Sequence, residues 1–204
     1  RKNLQAVVLT FFPHPRMVLQ KDAHIKLGVG KNMGKSLRYW CNAFKVTDEK
    51  DQPTEFGKKL LGTDGWDTYL ENPASLWLLH WHLLKPTCNA AAWYYTFNLF
   101  NESDFDKDDL FKGLNSYQTD EGKSVAESSL RKDINCILRM YAESDRNEVN
   151  FIEDSINCPF AELGLIYQAR NFQNYRFRFG AKPNLPPAIV VATCLEYASW
   201  VRKN

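Results

Sequence analysis

Apolar residues recur at helical spacing in several windows of the chain, with turn residues between them. Ala23 to Val46 reads as two short helices around a tight turn, Leu27-Gly28-Val29, in which Gly28 is free to take positive φ. The second helix places Met33, Leu37, Trp40, Cys41 and Phe44 on one stripe, at i, i+4, i+7, i+8 and i+11. Its opposite face carries Lys31, Asn32, Lys35, Arg38 and Asn42. Lys45-Val46-Thr47 suits a short strand, and DEKDQ a polar turn. Thr54 to Leu61 suits a brief capped helix that Gly62 stops. Asn72 followed by Pro73 is an N-cap and first-turn signal. From Ser75 to Leu84 the helix is apolar on nearly every side, which marks a buried helix, and Pro86 ends it. Ala90 to Phe100 is a second aromatic-rich helix, expected to form the heart of the fold with the first.

The second half repeats the division. Asp104 to Leu114 carries acids in its first turn, as a helix N-terminus prefers. Ser128 to Tyr141 puts Leu130, Ile134, Ile137, Leu138 and Tyr141 on a buried stripe and leaves Arg131, Lys132 and Asn135 outside it. Tyr175, Phe177 and Phe179 alternate with Arg176 and Arg178, which predicts a two-stranded ribbon. Helix followed by ribbon is the order of a winged helix, with the ribbon as its wing. A closing helix starts near Pro187. The expected fold is mainly α with small β-ribbons, its helix-turn-helix or winged-helix-like halves surrounding a buried aromatic-rich helical core. Three segments are expected within one compact unit. They are a basic helix-turn-helix-like part (1–62), a helical core with an acidic stretch (63–127), and a winged-helix-like part with the last helix (128–204).

Composition adds that 204 residues, 44% hydrophobic and 25% charged, can bury a real core. No run approaches the ~18 apolar residues of a membrane span. The N-terminal stretch is interrupted by Pro13 and Pro15 and has no small-residue cleavage site, so it does not read as a signal peptide. Starting at Arg1, the chain is expected to have a portion upstream. The five cysteines are scattered, with no CxxC pair, which fits reduced thiols in a cytoplasmic protein. Cys41 and Cys194 are expected as small core residues. Net charge is +2, unevenly spread: residues 1–46 hold nine Lys/Arg against one acid, and residues 47–127 hold seven against fifteen. A polyanion partner at the basic end explains this, and so does attraction between the two regions.

Gly34-Lys35-Ser36 resembles the close of a phosphate-binding loop, but the opening glycine should be residue 29, which is Val29. A recognition helix fits these residues better. Its apolar back would pack while a basic, hydrogen-bonding front enters a groove. A solvated helix face has the same pattern, and the residues alone leave both open. Asp64, Asp67 and Glu71 are the candidate catalytic carboxylates, with Asp64 and Asp67 as candidate metal ligands. They suit a loop and a helix entrance equally. His80 and His82 lie roughly 200° apart on a helix and cannot share a metal; a buried, hydrogen-bonded His80 is the simpler expectation. His14 and His24 stand in basic company without a nucleophile–base pair. No GxSxG, HExxH or paired-Cys signature occurs.

Several segments together carry a resemblance. They are LGVGKNM…LRYW…AF (27–44), PTEFGKKLL (53–61), YLENPASLWLLHW (69–81), AWYYTFNLF (92–100), SSLRKDINCILRMY (128–141) and EDSINCPFAELGLI (153–166). The chain resembles the prokaryotic family of unknown function numbered four thousand and seven, the SspB-like proteins of DNA phosphorothioation (Ssp) and antiphage gene clusters. Gly28, Gly30, Lys31 and Asn32 match its signature. The stretch before Leu27 is shorter than the family's N-terminal part. The resemblance implies a cytoplasmic protein that binds duplex DNA and nicks it. Its implied partners are a cysteine desulfurase, an ATPase and an ATP-pyrophosphatase-like sulfur-activating enzyme. No catalytic motif is carried over. The expected DNA-binding residues are Lys31, Asn32, Lys35, Arg38, Asn42, Arg131, Lys132, Arg176 and Arg178. No tightly bound cofactor is expected; Mg²⁺ or another divalent metal is the candidate ion if the protein nicks. A non-catalytic adaptor and a winged-helix transcriptional regulator are the alternatives.

Overall fold

A computed structural model describes residues 30–122, 124–143, 158–169 and 173–202. Its order is α1 (Lys31–Ala43), α2 (Glu55–Leu61), α3 (Pro73–Leu84), α4 (Ala91–Asn98), β1 (Asp104–Phe105), α5 (Lys107–Asp120) and α6 (Glu127–Tyr141). Then come β2 (Ala142–Glu143), a 3-10 turn (Pro159–Leu163), β3 (Ile166–Gln168), β4 (Tyr175–Phe177) and α7 (Pro187–Val201). The protein is mainly helical with one small sheet. It divides into two compact units, one of residues 1–85 with 183–204 and one of residues 86–182.

In the first unit, α1 buries Leu37, Trp40, Cys41 and Ala43, and Phe44 follows buried at its C-cap. Met33 lies a turn nearer the N-terminus and is only half-buried. Gly34, Lys35 and Ser36 stand inside this helix. A phosphate-binding loop needs its N–H groups turned outward, and helical bonding uses them here, as when Gly34 N donates to Gly30 O. The turn at Leu27-Gly28-Val29 lies outside the described residues. Thr47 bridges Pro53, and Asp48 Oδ1 accepts from Lys50 N and Gln52 N, closing the polar turn. Thr54 caps α2 through its hydroxyl, which accepts from Gly57 N, and Gly62 ends the helix. A Cβ on Gly57 would stand 2.2 Å from Val46 O, so only glycine lets α2 approach that backbone.

Asn72 caps α3 and Pro73 opens it. This helix buries Ser75, Leu76, Trp77, Leu79, His82 and Leu83, and α7 packs against it. Lys45, at φ 55, reaches the C-terminal end of α3, where its Nζ donates to His82 O (2.6 Å) and Lys85 O (3.0 Å). A cation there satisfies carbonyls that have no partner within the helix. Although apolar along its length, α7 has no buried residue, and Val191, Leu195 and Tyr197 are all more than half exposed. Cys194, on this helix, is exposed; Cys41 is the core cysteine of the expected pair.

The second unit packs α4, α5, α6 and the 3-10 turn with a four-stranded sheet of order β1-β4-β3-β2. The β3–β4 ribbon is antiparallel, with Tyr167 opposite Arg176. Both its edges are occupied, by β1 antiparallel to β4 and by β2 parallel to β3. The ribbon expected as a wing thus has a further strand on each side. The buried stripe of α6 is Leu130, Ile134, Ile137, Leu138 and Tyr141, as its spacing predicts, with Met140 added. Tyr141 meets Phe97 at 4.6 Å and Phe160 at 5.6 Å between ring centres. Phe105 meets Phe100 and Phe177, each at 5.2 Å. Edge-on and tilted rings of this kind add to their area burial. Because α3 and α4 fall in different units, each contributes its aromatics to its own core.

Candidate nucleic-acid interface

Amphipathic spacing sets the front of α1. With Leu37, Trp40 and Cys41 buried, Lys31, Asn32 and Lys35 face water and are exposed. Arg38 and Asn42 are half-buried, and the Arg38 guanidinium pairs with the Asp51 carboxylate at 3.1 Å. Asp51 is held at φ 60 by the same turn that follows α1. Among the described residues no carboxylate pairs with Lys31 or Lys35, while Arg38 already has one.

The basic residues of the second unit are differently placed. Arg131 donates from Nε to Glu127 (2.7 Å) and from Nη1 to Asp108 (2.8 Å), and lies 4.3 Å from the Phe111 ring centre. These hydrogen bonds, Asp108's first, raise its pKa. Arg176 is bound to Asp104, its partner across the β1–β4 register, which raises its pKa too. Arg178 lies over the Tyr167 ring at 5.6 Å. Lys132 is exposed on α6.

Asp67 is engaged by its own neighbours. Its Oδ1 accepts from Glu71 N (3.0 Å), and its Oδ2 from Asn72 N (2.9 Å) and Ser75 Oγ (2.6 Å). This carboxylate fixes the entrance of α3. Asp64 and Glu71 are exposed. Among the described residues no group of three or more His, Cys, Asp and Glu side chains is placed to hold a metal. The candidate trio does not fit a metal centre as it stands, because its middle member already uses both oxygens.

Sequence reasoning missed a polar cluster at the end of α3. Lys85 Nζ pairs with Glu196 Oε1 at 2.6 Å, and Trp81 Nε1 donates to the other oxygen of Glu196. Burial alone would raise the Glu196 pKa, but the Lys85 and Trp81 hydrogen bonds hold it below the usual carboxylate range. His82 is buried and stacks on Phe56 at 3.5 Å between ring centres, while the His80 ring stands edge-on to Trp77 at 6.1 Å. The His82 Nδ1 has no hydrogen-bond partner among the described residues. Burial first, then the Lys85 charge, pushes its pKa down to about 3; burial does the same to His80. Nothing in the spacing of LHWHLL distinguishes these two rings, since the difference comes from what α2 and α7 bring to them. Also missed were Trp66 and Tyr69, which are exposed between α2 and α3. No helix among the described residues is long and apolar enough to cross a membrane. His14 and His24 lie outside the described residues.

The family described as protein of unknown function (DUF4007) matches residues 2–204. A crystal structure of SspB is similar at 35% identity, with a TM-score of 0.84 over 97% of this chain and 63% of that one. A magnesium-bound crystal structure of SspB is similar at 33% identity, with a TM-score of 0.82 and the same coverage. The chain thus spans 63% of the length of these solved relatives. No protein of curated function matches it.

Proposed function

Because this chain belongs to the DUF4007 family, we propose that it is the DNA-binding component of a prokaryotic DNA phosphorothioate modification and antiphage defence system. It works in the cytoplasm on duplex DNA, beside a cysteine desulfurase, an ATPase and an ATP-pyrophosphatase-like sulfur-activating enzyme. The observation that carries this reading is the likeness to SspB over 97% of the chain. The front of α1 supports it, because Lys31, Asn32 and Lys35 suit phosphate contact and hydrogen bonding. Helix-turn-helix docking would set that front against the duplex, with Arg38 and Asn42 further along it.

Nicking of the bound duplex, which would open the backbone to sulfur, extends this reading. The magnesium-bound SspB structure favours it. Its ligands would then include carboxylates other than Asp67, whose oxygens hold the start of α3. Without nicking, the protein recruits the sulfur-transfer enzymes as an adaptor.

Duplex affinity measured across a salt series tests the reading. Changing both Lys31→Ala and Lys35→Ala should weaken binding and flatten the log–log salt slope by roughly two. An unchanged slope in the folded double variant would remove α1 from the interface. Absence of any duplex binding by the unaltered protein would overturn the proposal.

A further inference from the structure

Between α2 and α3 the chain makes a tight loop that presents two large rings to water. Trp66 is 67% exposed and Tyr69 is 64% exposed. The backbone beneath them is pinned at both ends. Trp66 N donates to Lys59 O (2.7 Å) and Asp67 N to Leu60 O (2.9 Å), tying the loop to α2. Thr68 Oγ1 donates to Gly62 O, and the Asp67 carboxylate ties the other end to α3. Gly65 fits where a Cβ would come within 2.8 Å of Gly62 and Leu60 backbone atoms. Single exposed apolar residues are common on proteins, but two rings on a loop bonded this closely form a preset surface.

We propose that Trp66 and Tyr69 stack on unpaired nucleobases, those of a DNA strand opened, gapped or nicked in the bound duplex; this rests on the DNA-binding reading above. An aromatic face accepts any base, and stacking requires that the base be out of its own helix. The charges around the loop agree with contact through bases. Lys59, exposed on α2, offers one cation to the strand. Asp64 and Glu71, both exposed, would repel a run of phosphates laid along the loop. A surface made for duplex backbone would carry the reverse balance. The pinned backbone keeps the ordering cost of binding low.

Fluorescence anisotropy with three labelled DNAs tests this: an oligothymidine single strand, a duplex with a short gap, and the same duplex intact. Trp66→Ala and Tyr69→Ala should each weaken binding to the first two by roughly tenfold and leave the intact duplex unaffected. Trp66→Phe should restore most of the loss, and circular dichroism should show all variants folded. Equal affinities of the alanine variants and the unaltered protein for gapped and single-stranded DNA would overturn the stacking role while leaving duplex binding standing. An equal loss on all three DNAs would overturn it as well, since a base-specific surface does not act on a closed duplex. Failure of the unaltered protein to bind any of the three would overturn both readings.

Discussion

In the unit of residues 86–182, two arginines on α6 and β4 have acidic partners within the same unit: Arg131 with Glu127 and Asp108, Arg176 with Asp104. In the unit of residues 1–85 and 183–204, Lys31 and Lys35 remain exposed at the start of α1, and the enclosed polar groups gather at the end of α3. Sequence patterning gives α1 and α6 the same reading, an apolar stripe backed by a basic front. The difference lies in what the fold brings opposite that front. Against α6 it brings the acidic N-terminal turn of α5, and against Lys31 and Lys35 it brings no carboxylate among the described residues. A basic face becomes available to a polyanion only when its own fold leaves it so.

Acid should separate the units most. His80 and His82, both in the first unit, titrate at about 3 when folded, against an ordinary 6.5. The folded unit therefore binds fewer protons than the unfolded chain between these values. Its stability is full above pH 6.5 and falls as the pH drops toward about 3. Glu196, also depressed, adds loss in the same direction. Asp133 of the second unit is raised by burial, and its contribution improves as pH falls. Hydrogen exchange on lowering the pH from about 7 to about 4.5 should deprotect α3 before α6, and His82→Phe should narrow the gap. Simultaneous deprotection would erase the contrast.

A smaller effect is expected at Asp67. Asp67→Ala leaves two backbone donors and the Ser75 hydroxyl without their acceptor, and should cost about 1–3 kcal/mol in thermal or urea unfolding. Any nicking rate per folded molecule should stay the same. A lost rate at unchanged stability in Asp67→Asn would instead return this carboxylate to the chemistry. Smallest of all should be Arg131→Ala and Arg176→Ala. Each is expected to lower the melting temperature slightly and leave the salt slope of DNA binding unchanged. A slope reduced by about one in either variant would mean that arginine reaches phosphate, and the contrast between the units would fail there.

Long periodic stretches were legible in the sequence. The α6 stripe, the Thr54 and Asn72 caps and the ends of α2 and α3 follow from spacing and local hydrogen bonding, which the chain encodes within a few residues. The surroundings of the β3–β4 ribbon were not legible, because β1 and β2 are two residues each and show no alternation to read. Nor could spacing show that Arg131 meets an acid 23 residues away, or that Asp67 serves its own helix entrance. The sequence reading of Lys35-Ser36 as helix, not phosphate loop, agrees with the structure. A phosphate-loop pattern depends on backbone conformation, and α1 supplies a helix there.

The bare surface of α7 has a consequence for the molecule as a colloid. With Glu196 committed to Lys85 and Trp81, the helix has no other charged residue along its length, so nothing ionic repels a second apolar surface that drifts against it. Sulfate and phosphate salts, which raise the cost of keeping apolar area wet, will act on this helix sooner than on the charged flanks of α5 and α6. Salting-out is therefore expected to begin at these fifteen residues, whatever the stability of the two cores.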